Sequence, residues 1–322
     1  MKSIIYICPT GNNKPVGGVK IIYRHAEILS KKIDTKIFHF QDLNFRCSWF
    51  DHNVNFKKNL TFDANKEFVI VPEWMAVYHS KILQKTHVKY GIFVQNGFYL
   101  NTKPKNNFTD EEINEAYEKA EIIISYSNEI SECIKLTFPK VEKKIFRIYL
   151  SVDNNKFNIS EEAFKNKENL ITYMPRKKAD HAEKLIFFLK QHLSNKWKIK
   201  SLDNLTELEV IDYFKKSKIF LSFSELEGFG LPPVESGLCG NYVVGYTGES
   251  GKEYWNPPIF DEVFSGDLRS FANKVINKVK DIDKNNYNFN MLKSAVNNLA
   301  EAHSAKQEQD SLISLISEIR KF

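Results

Sequence analysis

Short apolar runs alternate with amphipathic stretches along most of the chain. Ser3–Cys8 is a run dense enough in apolar side chains for a strand buried on both faces. Val19–Lys31 follows, where Ile22, Ala26 and Leu29 recur at helical spacing and form one apolar stripe. Further strands are predicted at Thr35–Phe40, Phe68–Pro72, Tyr90–Gln95, Ile122–Ser127 and Ile145–Leu150. Thr109–Ala120 reads as a helix with a start signal: Thr109 can cap it, and Glu112 completes a capping box. The pattern then restarts. Strands are predicted at Leu170–Met174, Trp197–Leu202, Ile219–Ser224 and Tyr242–Tyr246, the last closing the second sheet. Helices are predicted at Ala179–Leu193, Thr206–Lys216, Asp267–Asp281 and Phe289–Ile319. Such alternation argues for an α/β protein with parallel sheets. Between the two sets, Asp153–Asn169 is polar, charged and poor in apolar residues, which places a domain boundary there. The expected division is 1–155, 156–300 and a C-terminal helix over 301–322 that can pack back on the first domain.

The chain has 322 residues, 42% hydrophobic and 27% charged, enough for two domains with a core each. No apolar run approaches the roughly 18 residues of a membrane span. The start, Met1-Lys2-Ser3-Ile4-Ile5-Tyr6-Ile7, turns at Pro9-Thr10-Gly11 and reads as a first strand and not a signal peptide. Cys8, Cys47, Cys133 and Cys239 form no C-x-x-C pair and read as the free thiols of a cytoplasmic protein. Net charge is +6, yet there is no arginine-rich helix or basic-aromatic sheet motif, so nucleic acid is not an expected partner. The diffuse basic charge is compatible with peripheral contact at the inner face of a membrane.

The most specific signal is Glu227-Gly228-Phe229-Gly230-Leu231-Pro232-Pro233-Val234-Glu235. Two carboxylates flank a glycine-bracketed turn and a proline pair, between the apolar runs Ile219–Phe223 and Tyr242–Val244. That reads as strand, tight loop, short helix, strand. Prolines fit the first helical turn, where no intrahelical bond is lost. The N–H groups of Phe229, Gly230 and Leu231 then face outward at the helix's positive end, able to hold a phosphate or sugar oxygen. Glu227 lies in the loop before the helix and Glu235 about a turn inside it, so one can face a sugar ring while the other reaches a ribose. The plain alternative is a buried turn that happens to carry two glutamates.

This segment resembles the E-x7-E element of the GT-B glycosyltransferases, in particular the large retaining family 4 group, where it commonly runs E-G-F-G-L-P-x-x-E. Every lettered position is matched. The resemblance spans roughly residues 170–254 and is diffuse over the first half. It implies two Rossmann-like, doubly wound domains facing each other across a cleft. It also implies transfer of a sugar from a nucleotide-sugar donor to a hydroxyl of a glycan, lipid-linked or other acceptor, with retention and without metal or cofactor.

Met174-Pro175-Arg176-Lys177-Lys178 ends the first strand of the second half, where the family has an arginine followed by a lysine. Arginine offers a fork for two phosphate oxygens and lysine a point charge, which suits a departing diphosphate. The family's Gly-Arg…Lys-Gly spacing is absent, and His181 stands five residues after Arg176, so Arg176 carries over more firmly than Lys177 or Lys178. The resemblance assigns catalysis to Glu227 and Arg176. It assigns donor binding to Arg176, Lys177, Glu227, Gly228, Phe229, Gly230, Leu231 and Glu235, with Gly17 and Gly18 of the first turn. The Pro9–Val19 turn is neither a Walker loop nor G-x-G-x-x-G, but its glycine pair lets the backbone approach a ligand. On the acceptor side, Gln95 and Asn96 could orient a hydroxyl where the family often has a histidine, with Glu73 as a second candidate. Ile148–Asp153 with Phe157 is similar to the family's hinge, Ser151 replacing its glycine. Thr247–Tyr254 looks like its glycine-rich loop with a downstream glutamate, Glu253. The one D-x-D, Asp281-Ile282-Asp283, ends a lysine-rich helix and reads as solvated surface; no metal site is expected. Two other readings keep the fold: a sugar-nucleotide epimerase or phosphorylase, and a non-catalytic module that binds a nucleotide or glycan.

Overall fold

The computed structural model describes residues 3–10, 16–101, 108–285 and 287–322. Residues 11–15 of the first turn lie outside them. The chain forms two compact units, Met1–Tyr149 with Glu308–Phe322, and Leu150–Gln307.

The first unit contains β1 (Ser3–Ile7), α1 (Gly17–Ser30), β2 (Asp34–Phe38), β3 (Asn55–Phe56), β4 (Glu67–Pro72), α2 (Ala76–Lys85), β5 (Tyr90–Phe93), α3 (Asp110–Lys119), β6 (Ile122–Ser125), α4 (Asn128–Thr137) and β7 (Ile145–Arg147). Its strands make one parallel sheet in the order β3-β2-β1-β4-β5-β6-β7. Every residue of β1 is buried, as expected of a central strand covered on both faces. From β1 the chain winds outward to β3, then returns to wind the other way from β4, so the topological switch point lies between β1 and β4. Ligands of doubly wound sheets bind beyond the carboxyl ends of the strands at such a point.

The second unit contains α5 (Glu161–Lys165), β8 (Leu170–Tyr173), α6 (Ala179–Lys190), β9 (Lys198–Ser201), α7 (Glu207–Lys216), β10 (Ile219–Glu227), α8 (Leu231–Leu238), β11 (Tyr242–Glu249), β12 (Phe260–Glu262), α9 (Leu268–Asp283) and α10 (Phe289–Ala302). Its parallel sheet runs β12-β11-β10-β8-β9, and its switch point lies between β8 and β10. A last helix, α11 (Ala305–Ile319), brings the chain back to the first unit.

Local signals account for much of this. Thr109 with Glu112 and Thr206 with Glu209 form complete capping boxes at the starts of α3 and α7. Other boundaries differ from expectation. The helix α1 starts at Gly17, so both glycines are its first turn and not part of the preceding loop. Strand β10 continues through Glu227, with a bulge between Ser224 and Glu227, so Glu227 ends a strand and does not lie in a free loop. Its neighbour β11 continues to Glu249, because the register pairs Glu227 with Glu249 and Ser224 with Thr247. The stretch over 247–249 is therefore strand, followed by a 3-10 turn over Ser250–Glu253. The sheet closes on β12, three residues too short to show periodicity. Within the polar stretch 153–169, Ser160 caps α5. The division falls at 149/150 because Leu150, Val152 and Phe157 are buried in the second unit, where the Val152 amide donates to the His303 carbonyl. The single helix expected over Phe289–Ile319 is two, broken at His303-Ser304 without glycine or proline.

Candidate functional site

Two loops meet at the switch point of the second unit. The first leaves β8 as Met174–Lys178, and Lys178 takes a left-handed φ of 49° to start α6. The second is the end of β10, where Leu226 holds φ 45° immediately before Glu227. A non-glycine residue there costs about 1–3 kcal/mol and is kept only where surrounding structure over-determines it. The two loops are joined by ion pairs between Lys177 and Glu227 and between Lys178 and Glu225. Arg176 is exposed, with no ion-pair or hydrogen-bond partner among the described residues. Of the three cations, the lysines are thus carboxylate-bound, and the arginine is the one presented to solvent.

Gly230 caps α8 at φ 83°, and Pro232 lies in the helix's first turn. Tyr254 fixes this turn from below, its hydroxyl donating to the carbonyls of Phe229 (3.0 Å) and Gly230 (2.8 Å). Burial holds the Tyr254 phenol well above its ordinary range, so it remains a donor. Phe229 points inward against Tyr254 and His303. Its ring is therefore packed inside and not presented to a ligand. The Ser250 hydroxyl donates to the Glu227 carbonyl, and Gly248, at φ 67°, lies where a side chain would press on Glu227. Glu235 sits half-buried on the fifth position of α8. His181, in the first turn of α6, is hydrogen-bonded through Nδ1 to the Tyr246 hydroxyl at 2.9 Å.

The structure thus brings Arg176, Lys177, Glu227, Gly228–Leu231 and Glu235 to one sheet end. It adds Glu225, which the sequence did not single out, and ties in Lys178, Ser250 and Tyr254 from stretches that it did. The nearest sequence signal was the doublet Glu225-Leu226-Glu227. Asp283 of the D-x-D accepts a hydrogen bond from the Trp197 indole at 3.0 Å and is a structural anchor.

Gly17 and Gly18 belong to the first unit, at its own switch point. A pocket of about 390 Å³ opens there, lined by Thr10, Gly18, Gln41, Trp74 and Gln95 among others. Gln95 Nε2 donates to the Gly18 carbonyl at 3.0 Å, and a side chain at residue 18 would collide with the Gln95 amide oxygen. Asn96 instead caps the 3-10 turn Gly97–Tyr99 through Phe98 N (2.9 Å). Glu73, immediately after β4, is buried and accepts from the Asn96 amide at 3.2 Å, while Oε2 has no hydrogen-bond partner among the described residues. Burial pushes its carboxyl up to about 7.

Two doubly wound parallel sheets with these connections define the GT-B fold. No protein-family model matches the chain, and no curated protein does. Among solved structures it is similar to sucrose-phosphate synthase from Thermosynechococcus elongatus, over 100% of both chains at TM-score 0.70 and 12% identity. It is similar to a glycosyltransferase from Rickettsia africae over 99% of this chain and 98% of that one, at TM-score 0.70 and 16% identity. Anabaena HepE in complex with UDP and glucose matches over 100% of both chains, at TM-score 0.70 and 13% identity. Likeness at such identity establishes the fold and leaves the chemistry to the residues. Among the described residues, no helix is long and apolar enough to cross a membrane.

Proposed function

We propose that the protein is a nucleotide-sugar-dependent glycosyltransferase whose donor binds at the switch point of the second unit. One observation carries this reading. The Glu227–Glu235 segment stands at the carboxyl end of β10, tied by Lys177 to the basic loop that leaves β8. The fold's likeness to glycosyltransferases, one of them holding UDP and glucose, supports it.

In this reading Glu235 takes the ribose hydroxyls. Arg176 and Lys177 neutralise the diphosphate, which is why the reaction does not call for a metal. The Gly228–Leu231 backbone and Glu227 hold the donor sugar and the positive charge that develops on it. The bond between the anomeric carbon and the diphosphate oxygen breaks as the acceptor oxygen bonds to the same face of that carbon. The departing diphosphate oxygen receives the acceptor's proton, giving retention. The ion pairs imply that diphosphate binding competes with Glu227 and Glu225 for the two lysines.

The test is thermal unfolding with UDP, GDP, dTDP, CMP and ADP, for wild type, Arg176→Ala and Glu235→Ala. At a hundred times its dissociation constant a nucleotide stabilises by about 2.7 kcal/mol. The expected result is a shift with one nucleotide, weakened in both variants. If no nucleotide shifts the wild type, the donor site is wrong and a non-catalytic module of the same fold takes its place.

A further inference from the structure

We propose that the outer face of α6 docks on an anionic lipid surface, with Phe187 and Phe188 inserting among the lipids and the lysines around them meeting the headgroups. The inference does not depend on the donor-site reading.

The core stripe of α6 is complete without the two rings, because Ala182, Leu185 and Leu189 are buried at helical spacing. Phe187 is nonetheless 65% exposed and Phe188 42%. Their apolar surface continues into a groove of about 630 Å³ walled by Tyr173, Pro175, Ala182 and Ile186. Lys184 stands one turn before Phe188, and Lys190 one turn after Phe187. The chain then turns through Lys196 into the edge strand β9, which adds Lys198 and Lys200. Trp197 is buried and fixes this turn, its indole donating to Asp283 at 3.0 Å. All five lysines are exposed. The carboxylates of the helix, Asp180 and Glu183, lie toward its start, and Asp180 pairs with Lys184 at 3.3 Å. From Leu185 to Lys200 the sequence holds four lysines and no acidic residue. None of those four has a carboxylate partner among the described residues.

The exposed area is too small for a stable protein partner. A phenylalanine carries on the order of 200 Å² of surface, so at these exposures the two rings together offer roughly 200 Å². A stable protein–protein interface takes about 800 Å² from each side. A second copy docked across a two-fold axis would also bring the same four lysines together, and like charges oppose that contact. A lipid surface meets both limits. It needs no matching contour, and inserted rings contribute in proportion to their area. Each lysine near anionic headgroups strengthens binding about fivefold, its stem lying along apolar surface while the ammonium stays in water.

Vesicle co-sedimentation of the full chain tests this, with equal parts phosphatidylcholine and phosphatidylglycerol against phosphatidylcholine alone. The anionic vesicles should bind at least about tenfold more tightly, and the difference should fade toward about 1 M salt, where charges are screened beyond about 3 Å. Phe187→Ser with Phe188→Ser should weaken binding about tenfold or more. Lys190→Gln, Lys196→Gln and Lys198→Gln together should weaken it about a hundredfold. Those three side chains are exposed, so this variant folds even if the serine variant does not. Lys31→Gln, Lys32→Gln and Lys119→Gln remove the same charge from the first unit and should change binding by less than about threefold. The proposal is overturned if neutral vesicles bind as tightly, or if a folded serine variant binds like wild type. Equal losses in the two lysine variants overturn it as well, since the attraction then belongs to the net charge of +6 and not to this face. So does self-association in sedimentation velocity that the serine variant abolishes while vesicles do not bind, which makes the face a contact between copies.

Discussion

At the scale of single residues, Glu73 shows how burial sets behaviour. Its ordinary value is near 4.5 and its folded value about 7, with burial the leading cause. Below pH 4.5 the carboxyl is protonated in both states and costs nothing. As pH rises toward 7 the unfolded chain ionises while the folded one keeps its proton, so stability falls across that window. Above pH 7 the accumulated loss is on the order of 3 kcal/mol. Glu73→Gln, whose oxygen can still accept from Asn96, should match wild type near pH 4 and exceed it by about 3 kcal/mol at pH 8 in denaturant unfolding. Equal pH profiles for the two proteins would refute the assignment. The sequence placed Glu73 at a strand end but could not show that its carboxyl is enclosed. Arg176 and Lys177 were equally visible as charges. Which one is exposed and which is paired with Glu227 depends on where β10 ends relative to β8.

At the scale of elements, the strand–helix order was legible because buried parallel strands need apolar runs and their crossovers need amphipathic helices. What escaped was set by neighbours. The extensions of β10 to Glu227 and β11 to Glu249 exist because each supplies the other's hydrogen bonds past the bulge. The helix α8 is held in the same way. Lys167 is buried and donates to the carbonyls of Phe214 (3.0 Å) and Ser217 and to Asn241 Oδ1 (3.2 Å). Asn241 in turn donates to the carbonyl and hydroxyl of Ser236 in α8. Lys167→Met should therefore cost about 2–4 kcal/mol by leaving buried oxygens short of a donor. Thermal unfolding reads this directly, and a loss below about 1 kcal/mol would mean that the network is dispensable.

At the scale of the whole molecule, the decisive feature is the return of α11 to the first unit. Leu312, Leu315, Ile316 and Ile319 are buried there, and Glu308, 1% exposed, pairs with Arg24 of α1 at 2.6 Å. His25 lies beside it, its imidazole pushed down to about 3 chiefly by burial. Four such aliphatic side chains at roughly 1.5–3 kcal/mol each are comparable with the stability of a whole domain, about 5–15 kcal/mol. Deleting Glu308–Phe322 should unfold the first unit, seen as lost hydrogen-exchange protection in β1, β4 and β5. Continued protection of those strands would show that the unit stands without α11.

The sequence by itself determined the α/β class, the capped helices and the segment that carries Glu227 and Glu235, because each rests on local periodicity, caps or spacing. Tertiary structure alone decided that Lys177 and Lys178 are bound by carboxylates, that β10 runs on to Glu227, that a pocket opens beside Trp74, and that the last helix breaks at His303. Each of these depends on residues distant in the chain being brought within hydrogen-bonding or van der Waals reach, and no one-dimensional pattern encodes that distance.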